Sequence, residues 1–291
     1  MDNTTSYSKI IAGTMTWGSW GKDLSQKDLI ALIGHCLNAG ISTFDHADIY
    51  GGYTNEAVFG KAFAQSGIPR SDVQLITKCG IQLDTEVRKN KVVHYNYSKD
   101  YIIWSAEESL KNLRTDYLDL FLLHRPSPLM HPGEIAEAIA QLQKEGKIKA
   151  FGVSNFTPSQ IEMLETAVPV SGNQVEFSLT ADGAMYDGTL DDMIANDRMA
   201  MAWSPLGSYF REKDKKTKRI KKVLKRLRKK YNVNASQLLL AWILRHPAKV
   251  YPVVGTATPQ RLTDAINATK IDLELEDWFL LLAASQGHRV P

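Results

Sequence analysis

The 291 residues suit one large α/β domain or two small ones, and 44% hydrophobic with 23% charged residues is the composition of a soluble globular protein with material for a sizeable core. The opening MDNTTSYSK lacks the apolar centre of a signal peptide, and no run approaches the roughly 18 apolar residues that span a bilayer. At a net charge of +3, with only Cys36 and Cys79 and those far apart, the chain reads as neither a disulfide scaffold nor a cysteine metal cluster, and a reducing cytoplasm is expected.

Lys9–Gly13 reads as the first strand. Ser25 opens a helix, with Asp28 three residues on in a weak capping box, Leu29, Leu32, Ile33, Cys36 and Leu37 on one face, and Gly40 at its end. Ile41–Asp45 is the second strand and Asn55–Gln65 its helix. Val73–Lys78 is the third, followed by a long polar loop to Tyr97 and a helix capped by Ser98, with Ile102, Ala106, Leu110 and Leu113 on one side. Leu118–His124 and Pro132–Glu145 come next, then Ala150–Ser154 with helix Ser159–Ala167, and Ser171–Val175 with a weaker helix near Leu190–Asn196. Met199–Ser204 precedes a basic helix near Lys218–Tyr231 and an apolar one at Ala235–Arg245. Val250–Val254 leads into Pro259–Ala268, and a last helix covers about Leu275–Ala284. Eight strand–helix alternations in one chain imply parallel pairing. With no G-x-G-x-x-G after any strand, a closed (β/α)8 TIM barrel spanning residues 1–291 as a single domain is predicted over an open dinucleotide-binding sheet.

Asp45, Tyr50, Lys78 and His124 fall at or just past the carboxyl ends of different strands, which meet on one face of a barrel. A strand-end lysine is commonly just solvated and a strand-end histidine a satisfied structural one, so each alone says little. Together they form a coherent machine. A carbonyl that accepts hydride at carbon needs a proton on oxygen, and a phenol of pKa about 10 is a poor acid near neutrality. An adjacent ammonium favours phenolate and lowers that value, a carboxylate holds the ammonium charged, and a neutral histidine orients the carbonyl.

With FDHADIYGG, NEAVFG, LITKCG, FLLHRP, GVSNF, NQVEFS, AWSPLG and VVGTATPQR in order, the chain resembles the aldo-keto reductase superfamily over nearly its whole length. KCGI, VVHYNYS and LLHRPSPLM make it most similar to bacterial oxidoreductases of that superfamily whose natural substrates are generally undefined. The resemblance implies an NADPH-dependent reduction of an aldehyde or ketone to an alcohol, with NADH also possible. Asp45, Tyr50, Lys78 and His124 are then the catalytic tetrad, and Tyr50 is the general acid. It also implies Gly13, Thr14 and Met15 near the nicotinamide ribose, Ser154, Asn155 and Gln174 at the carboxamide, and Trp203 stacked on the nicotinamide. Ser204, Pro205, Leu206 and Gly207 would hold the pyrophosphate, and Gly255, Thr256 and Arg261 the adenosine 2′-phosphate. Read from residues alone, the strand, the loop with Thr256 and Thr258 and the following helix start make an anion-binding geometry, with Arg261 as a clamp. The family pattern has lysine at Gly255 and asparagine at Ala265, so weaker 2′-phosphate selectivity is expected. The short tail SQGHRVP predicts an open substrate pocket walled by Trp17, Trp20, Tyr53 and the Gly80–Tyr97 loop.

Residues Arg211–Lys230 hold thirteen Lys/Arg and two acids, net +11. Ile220, Val223, Leu224, Leu227 and Tyr231 make an apolar stripe there, so the segment is expected to be an outer barrel helix with a solvated face rather than a nucleic-acid or membrane binder. A metal-dependent barrel hydrolase with Asp45, His46, Asp48 and His124 as ligands is a rival, but it shows no H-x-H or H-E-x-x-H spacing and leaves Lys78 and Trp203 without a role. A nucleotide-sensing barrel with little turnover is a third reading. No metal is expected, and the partner is a small carbonyl compound; oligomeric state is open, a monomer being compatible with the sequence.

Overall fold

The structure, a computed structural model, describes residues 6–289. The first five residues of the segment read for a leader, and Val290 and Pro291 of the tail, lie outside the described residues. In chain order the elements are β1 (Ile11–Gly13), α1 (Gln26–Asn38), β2 (Thr43–Asp45), α2 (Asn55–Gln65), β3 (Gln74–Cys79), β4 (Ile81–Gln82), β5 (His94–Tyr95), α3 (Lys99–Leu113), β6 (Leu118–Leu123) and α4 (Pro132–Lys144). The second half continues with β7 (Ile148–Ser154), α5 (Pro158–Glu165), β8 (Gly172–Glu176), α6 (Thr189–Ala195), β9 (Met199–Trp203), α7 (Lys215–Tyr231), α8 (Ala235–Leu244), β10 (Tyr251–Val254), α9 (Pro259–Ala268) and α10 (Leu275–Gln286). Eight parallel strands close in the order β1-β10-β9-β8-β7-β6-β3-β2, the predicted (β/α)8 barrel.

Strand alternation sorts the core into two layers. Ile11, Ile76, Leu120, Leu122, Met201 and Val253 fill the barrel interior. Strand residues of the opposite facing, among them Phe44, Leu75, Phe121, Leu123 and Phe151, pack outward under the helices. A separate apolar layer joins Phe177, Leu190, Ile220, Leu224, Leu227, Trp242 and Leu281 on the other flank. There Trp242 and Trp278 stack at 4.9 Å, and each indole N–H donates to the other's carbonyl at 3.2 and 2.9 Å, which locks α10 onto α8.

Several boundaries differ from the sequence reading, each for a local reason. The second strand starts at Thr43, because the Ile41 N–H is spent on the Cys36 carbonyl closing α1 behind Gly40, which has φ +87°. Ser25 accepts from the Asp28 N–H at 3.2 Å, but the Asp28 carboxylate accepts from the Ser25 hydroxyl at 2.7 Å, so the reciprocal half of the box is missing. Ser98 makes no side-chain cap. A reciprocal Thr157/Gln160 box with Pro158 at the first turn starts α5 earlier than Ser159. Asp214 caps α7 at 2.7 Å, so the basic helix begins at Lys215. The polar loop after the third strand contains a two-stranded antiparallel hairpin, β4 with β5. It escaped notice because two-residue strands carry no periodicity.

The basic helix buries Ile220, Leu224 and Leu227 and leaves most of its lysines exposed, as an outer barrel helix does. Arg219 donates to the carbonyls of Ala284 and Ser285 at 2.8 Å, and Lys230 pairs with Asp277 and Glu274 at 2.7 and 2.6 Å. Part of its charge thus fastens α10. Among the described residues no helix is long and apolar enough to cross a membrane.

Candidate active site

The same two-residue period that fills the barrel places polar groups on its upper rim. Ile76 points inward, so Lys78 does too; Leu122 is followed at the same parity by His124, and Met201 by Trp203. Asp45 and Gln174 come in from β2 and β8. The Lys78 ammonium is 1% exposed and its three protons are all used: it donates to both Asp45 carboxylate oxygens at 2.8 Å, to the His46 carbonyl at 2.7 Å, and to the Tyr50 hydroxyl at 3.3 Å. Gln174 Nε2 also donates to Asp45 Oδ1 at 2.8 Å. The Tyr50 ring sits 6.1 Å from that of His124, edge to face, and 6.3 Å from that of Trp20. All four residues of the expected tetrad therefore meet in one cluster, with Asp45, Lys78 and Tyr50 in a single hydrogen-bonded chain.

The electrostatics differ in one respect from the expectation. Burial is the largest influence on Tyr50 and raises its pKa; Lys78 pulls it down without overcoming that rise, and Asp45 adds to it. In this state the phenol is held protonated rather than poised toward phenolate. Burial also opposes the charge on Lys78, but Asp45 and Tyr50 outweigh it and hold the ammonium above its ordinary range. Burial, with Lys78 and Arg125 nearby, drives His124 well below the usual imidazole value, so it is neutral, and its buried Nδ1 has no partner among the described residues. Beneath the cluster, burial lowers His46 to about 3; its Nδ1 lies 2.8 Å from Thr14 Oγ1, which also reaches the Asp45 carbonyl at 3.0 Å.

The residues assigned to a nucleotide line the neighbouring rim. Asn155 and Ser204, at the ends of β7 and β9, adopt left-handed backbone with φ of 63° and 51°. Trp203 donates its indole N–H to Asn155 Oδ1 at 2.8 Å, and Asn155 Nδ2 donates to Ser154 Oγ at 2.8 Å. Gly207, with φ 54°, ends a turn from Ser204 through Pro205 and Leu206; a Cβ there would strike the hydroxyls of Thr180 and Ser178. Gly13 and Thr14 are buried and Met15 is exposed. The Thr16 hydroxyl donates to the Gly255 carbonyl and the Trp17 indole to that of Thr256, each at 3.0 Å, which ties the loop before α9 to the one after β1. Arg261 is exposed on the first turn of α9.

Two pocket-wall expectations fail. Trp17 is 2% exposed and packs against Phe44 and Phe59 in the core, because its indole N–H is drawn down to Thr256. Tyr53 is buried beneath the β4–β5 hairpin, its hydroxyl accepting from the Leu83 N–H at 2.8 Å. Trp20, 46% exposed beside Tyr50, does line the mouth. Ala265 faces the core and offers nothing to a ligand. Among the described residues no three His, Cys, Asp or Glu side chains gather to hold a metal ion. Of the rival ligand set, Asp45 is paired with Lys78, His46 Nδ1 with Thr14, and Asp48 Oδ2 with Tyr101 and Ser105 at 3.2 and 3.3 Å, while His46 Nε2 and Asp48 Oδ1 have no partner among the described residues.

The sequence model of the aldo/keto reductase family matches residues 9–284. The chain belongs to the aldo/keto reductase family. YcsN, an uncharacterized oxidoreductase of Bacillus subtilis, is 42% identical over 291 residues, covering 98% of this chain and 96% of its own. A 6-dehydroglucose reductase of Agrobacterium fabrum is 36% identical, covering 97% of each. Among solved structures, the thermostable aldo-keto reductase Tm1743 bound to the inhibitor epalrestat matches with a TM-score of 0.80 at 26% identity over 97% of each chain. An aldo-keto reductase from Klebsiella pneumoniae in complex with NADPH matches with a TM-score of 0.77 at 25% identity, covering 98% of this chain and 92% of its own.

In this aldo/keto reductase, the residues that sequence reasoning passed over sit one contact behind the rim. Arg88 reaches down from the hairpin loop, 3.8 Å from the Tyr53 ring centroid and 3.8 Å from Asp48. Asn55 donates from Nδ2 to the carbonyls of Thr14 and Met15 at 3.2 Å, joining the loop after β1 to the start of α2. The one sequence signal for Asn55 was its presence in NEAVFG. For Arg88 there was none, since a charged residue in a polar loop reads as solvated.

Proposed function

We propose that this aldo/keto reductase reduces the carbonyl of an aldehyde or ketone to an alcohol with NADPH, Tyr50 giving the proton to the carbonyl oxygen. The observation that carries this reading is the buried chain Asp45–Lys78–Tyr50, in which a fixed positive charge lies 3.3 Å from the proton-bearing oxygen. The neutral, half-buried His124 beside it orients that carbonyl oxygen. As the Tyr50 proton leaves, Lys78 stabilises the phenolate, and Asp45 keeps the ammonium charged and immobile. The NADPH complex of the Klebsiella pneumoniae relative and the reductases among the curated relatives support the same chemistry.

The rim fits a nicotinamide dinucleotide. The half-buried Trp203 ring offers a stacking face, the left-handed Ser204 and Gly207 shape a turn that would hold the phosphates, and the exposed Arg261 side chain has no hydrogen bond or ion pair among the described residues. Gly13, Thr14 and Met15 would meet the ribose, Ser154 and Asn155 the carboxamide, and Gly255, Thr256 and Arg261 the 2′-phosphate. Gln174 has Oε1 free for the carboxamide, its two Nε2 protons going to Asp45 and, weakly, to the Met201 sulfur. When bound, reduced nicotinamide supplies the hydride.

Following NADPH oxidation against a panel of aldehydes, ketones and quinones tests the reading; no turnover with any of them sinks it. Cofactor choice has its own test. A 2′-phosphate carries roughly two negative charges, and one charged hydrogen bond corresponds to roughly 10- to 150-fold in affinity. Arg261→Ala is expected to raise the NADPH KM by about that factor and to leave the NADH KM nearly unchanged. Equal losses with both nucleotides would show that Arg261 does not read the phosphate. Trp203 emission should be quenched on adding NADPH, and Trp203→Ala should remove most of that signal; with six tryptophans in the chain, the difference between variants is what decides.

A further inference from the structure

Arg125 follows His124 at the end of β6, and its backbone is held with unusual firmness. The Tyr97 hydroxyl accepts from the Arg125 N–H at 3.1 Å and donates to the Arg125 carbonyl at 2.5 Å. The Tyr97 ring occupies the space a Cβ on Gly80 would take, and Gly80 has φ 115°, so the glycine after β3 makes this clamp possible. The side chain is treated differently. Half-buried at the mouth, the guanidinium lies 5.5 Å from the centroid of Trp203, and no hydrogen bond or ion pair engages it among the described residues.

The nearby carboxylates cannot serve it. Asp45 is taken by Lys78 and Gln174, and Asp48 Oδ2 by Tyr101, Ser105 and Arg88, while Asp48 Oδ1 is buried and makes no ion pair with Arg125. Arg125 is close enough to Tyr50 and His124 to pull both of their pKa values down. The catalytic ammonium being neutralised by Asp45, the mouth beside Tyr50 is left with a positive charge that no carboxylate pairs with among the described residues. A guanidinium stays protonated at any working pH and matches a carboxylate with two parallel N–H donors.

We propose that Arg125 recognises an anionic group on the substrate, so that this enzyme favours aldehydes and ketones that also carry a carboxylate over neutral ones of the same shape. The proposal rests on the reading of Tyr50 and His124 as the site of the carbonyl oxygen. It makes Arg125 a specificity residue with no part in the proton transfer.

The probes are 4-carboxybenzaldehyde and 4-carbamoylbenzaldehyde, which differ in charge and hardly in shape. Steady-state reduction by the full-length enzyme with NADPH is expected to favour the carboxylate in kcat/KM by about 10-fold or more, through KM. In Arg125→Gln that ratio should fall toward 1, and Arg125→Lys should restore part of it, a charge-specific pattern that a packing role would not produce. Equal use of the two aldehydes by the wild type, or a preference that survives Arg125→Gln, overturns the proposal while leaving the reductase reading intact. If neither aldehyde is turned over, the reductase reading loses support, and calorimetry on the NADP+-loaded protein still decides the role of Arg125. Tighter binding of the carboxylate that Arg125→Gln removes upholds it, and equal binding refutes it.

Discussion

Tyr50→Phe is expected to lower carbonyl reduction by about 10²–10⁴-fold, the usual contribution of a positioned general acid, while NADPH affinity changes only a few-fold. The hydroxyl's partner in the structure is Lys78, so its removal takes away the proton and leaves the ring packing against His124 and Trp20. Single-turnover reduction at saturating substrate isolates the chemical step. Retention of more than half the wild-type rate there would mean that another group gives the proton. Burial holds Tyr50 above its ordinary 10.0 and His124 well below 6.5, so neither should put an inflexion in the wild-type pH profile near neutrality; an inflexion there is expected only from Asp48, which burial pushes up to about 7.

Asp45→Asn should damage stability as much as chemistry. It removes the counter-charge from an ammonium that is 1% exposed, and breaking one side of a buried pair typically costs about 3–5 kcal/mol. The wild-type pair raises Lys78 above 10.5, so its stabilisation is fully present below that pH and is lost as pH rises through the folded value. In the variant the sign reverses. Without Asp45, burial lowers Lys78 below its unfolded value, the unfolded chain binds the extra proton, and stability rises with pH between the two values. Urea unfolding of both proteins at neutral pH and again near pH 10 (roughly the lysine reference value) should therefore show the gap narrowing. A constant gap would mean that Lys78 keeps its charge by other means.

How far the sequence could be read depended on periodicity. The barrel was legible because eight strand–helix alternations run through one chain, and the carboxyl ends of the strands carried Asp45, Lys78 and His124 to one rim, whereas Trp203 came from the family resemblance. Contacts between residues far apart in the chain left no such trace. Trp17 read as a pocket wall because an exposed loop tryptophan and one pinned to the Thr256 carbonyl look alike in sequence. The sign of the Tyr50 shift was missed because burial, a property of the closed fold, outweighs the charge of its neighbour. The β4–β5 hairpin and the Tyr97 clamp are made by two-residue strands and one glycine, too little material for a pattern.

Lys78 has no spare donor: two directions go to Asp45 and the His46 carbonyl, and the third meets Tyr50. A side chain so held has no second rotamer to visit and no water to shed. If Tyr50 gives the proton as proposed, the dipoles that answer the negative charge on its oxygen already point the right way, so the step is expected to carry little reorganisation energy. The energy of that ordering is spent when the chain folds, not at each turnover.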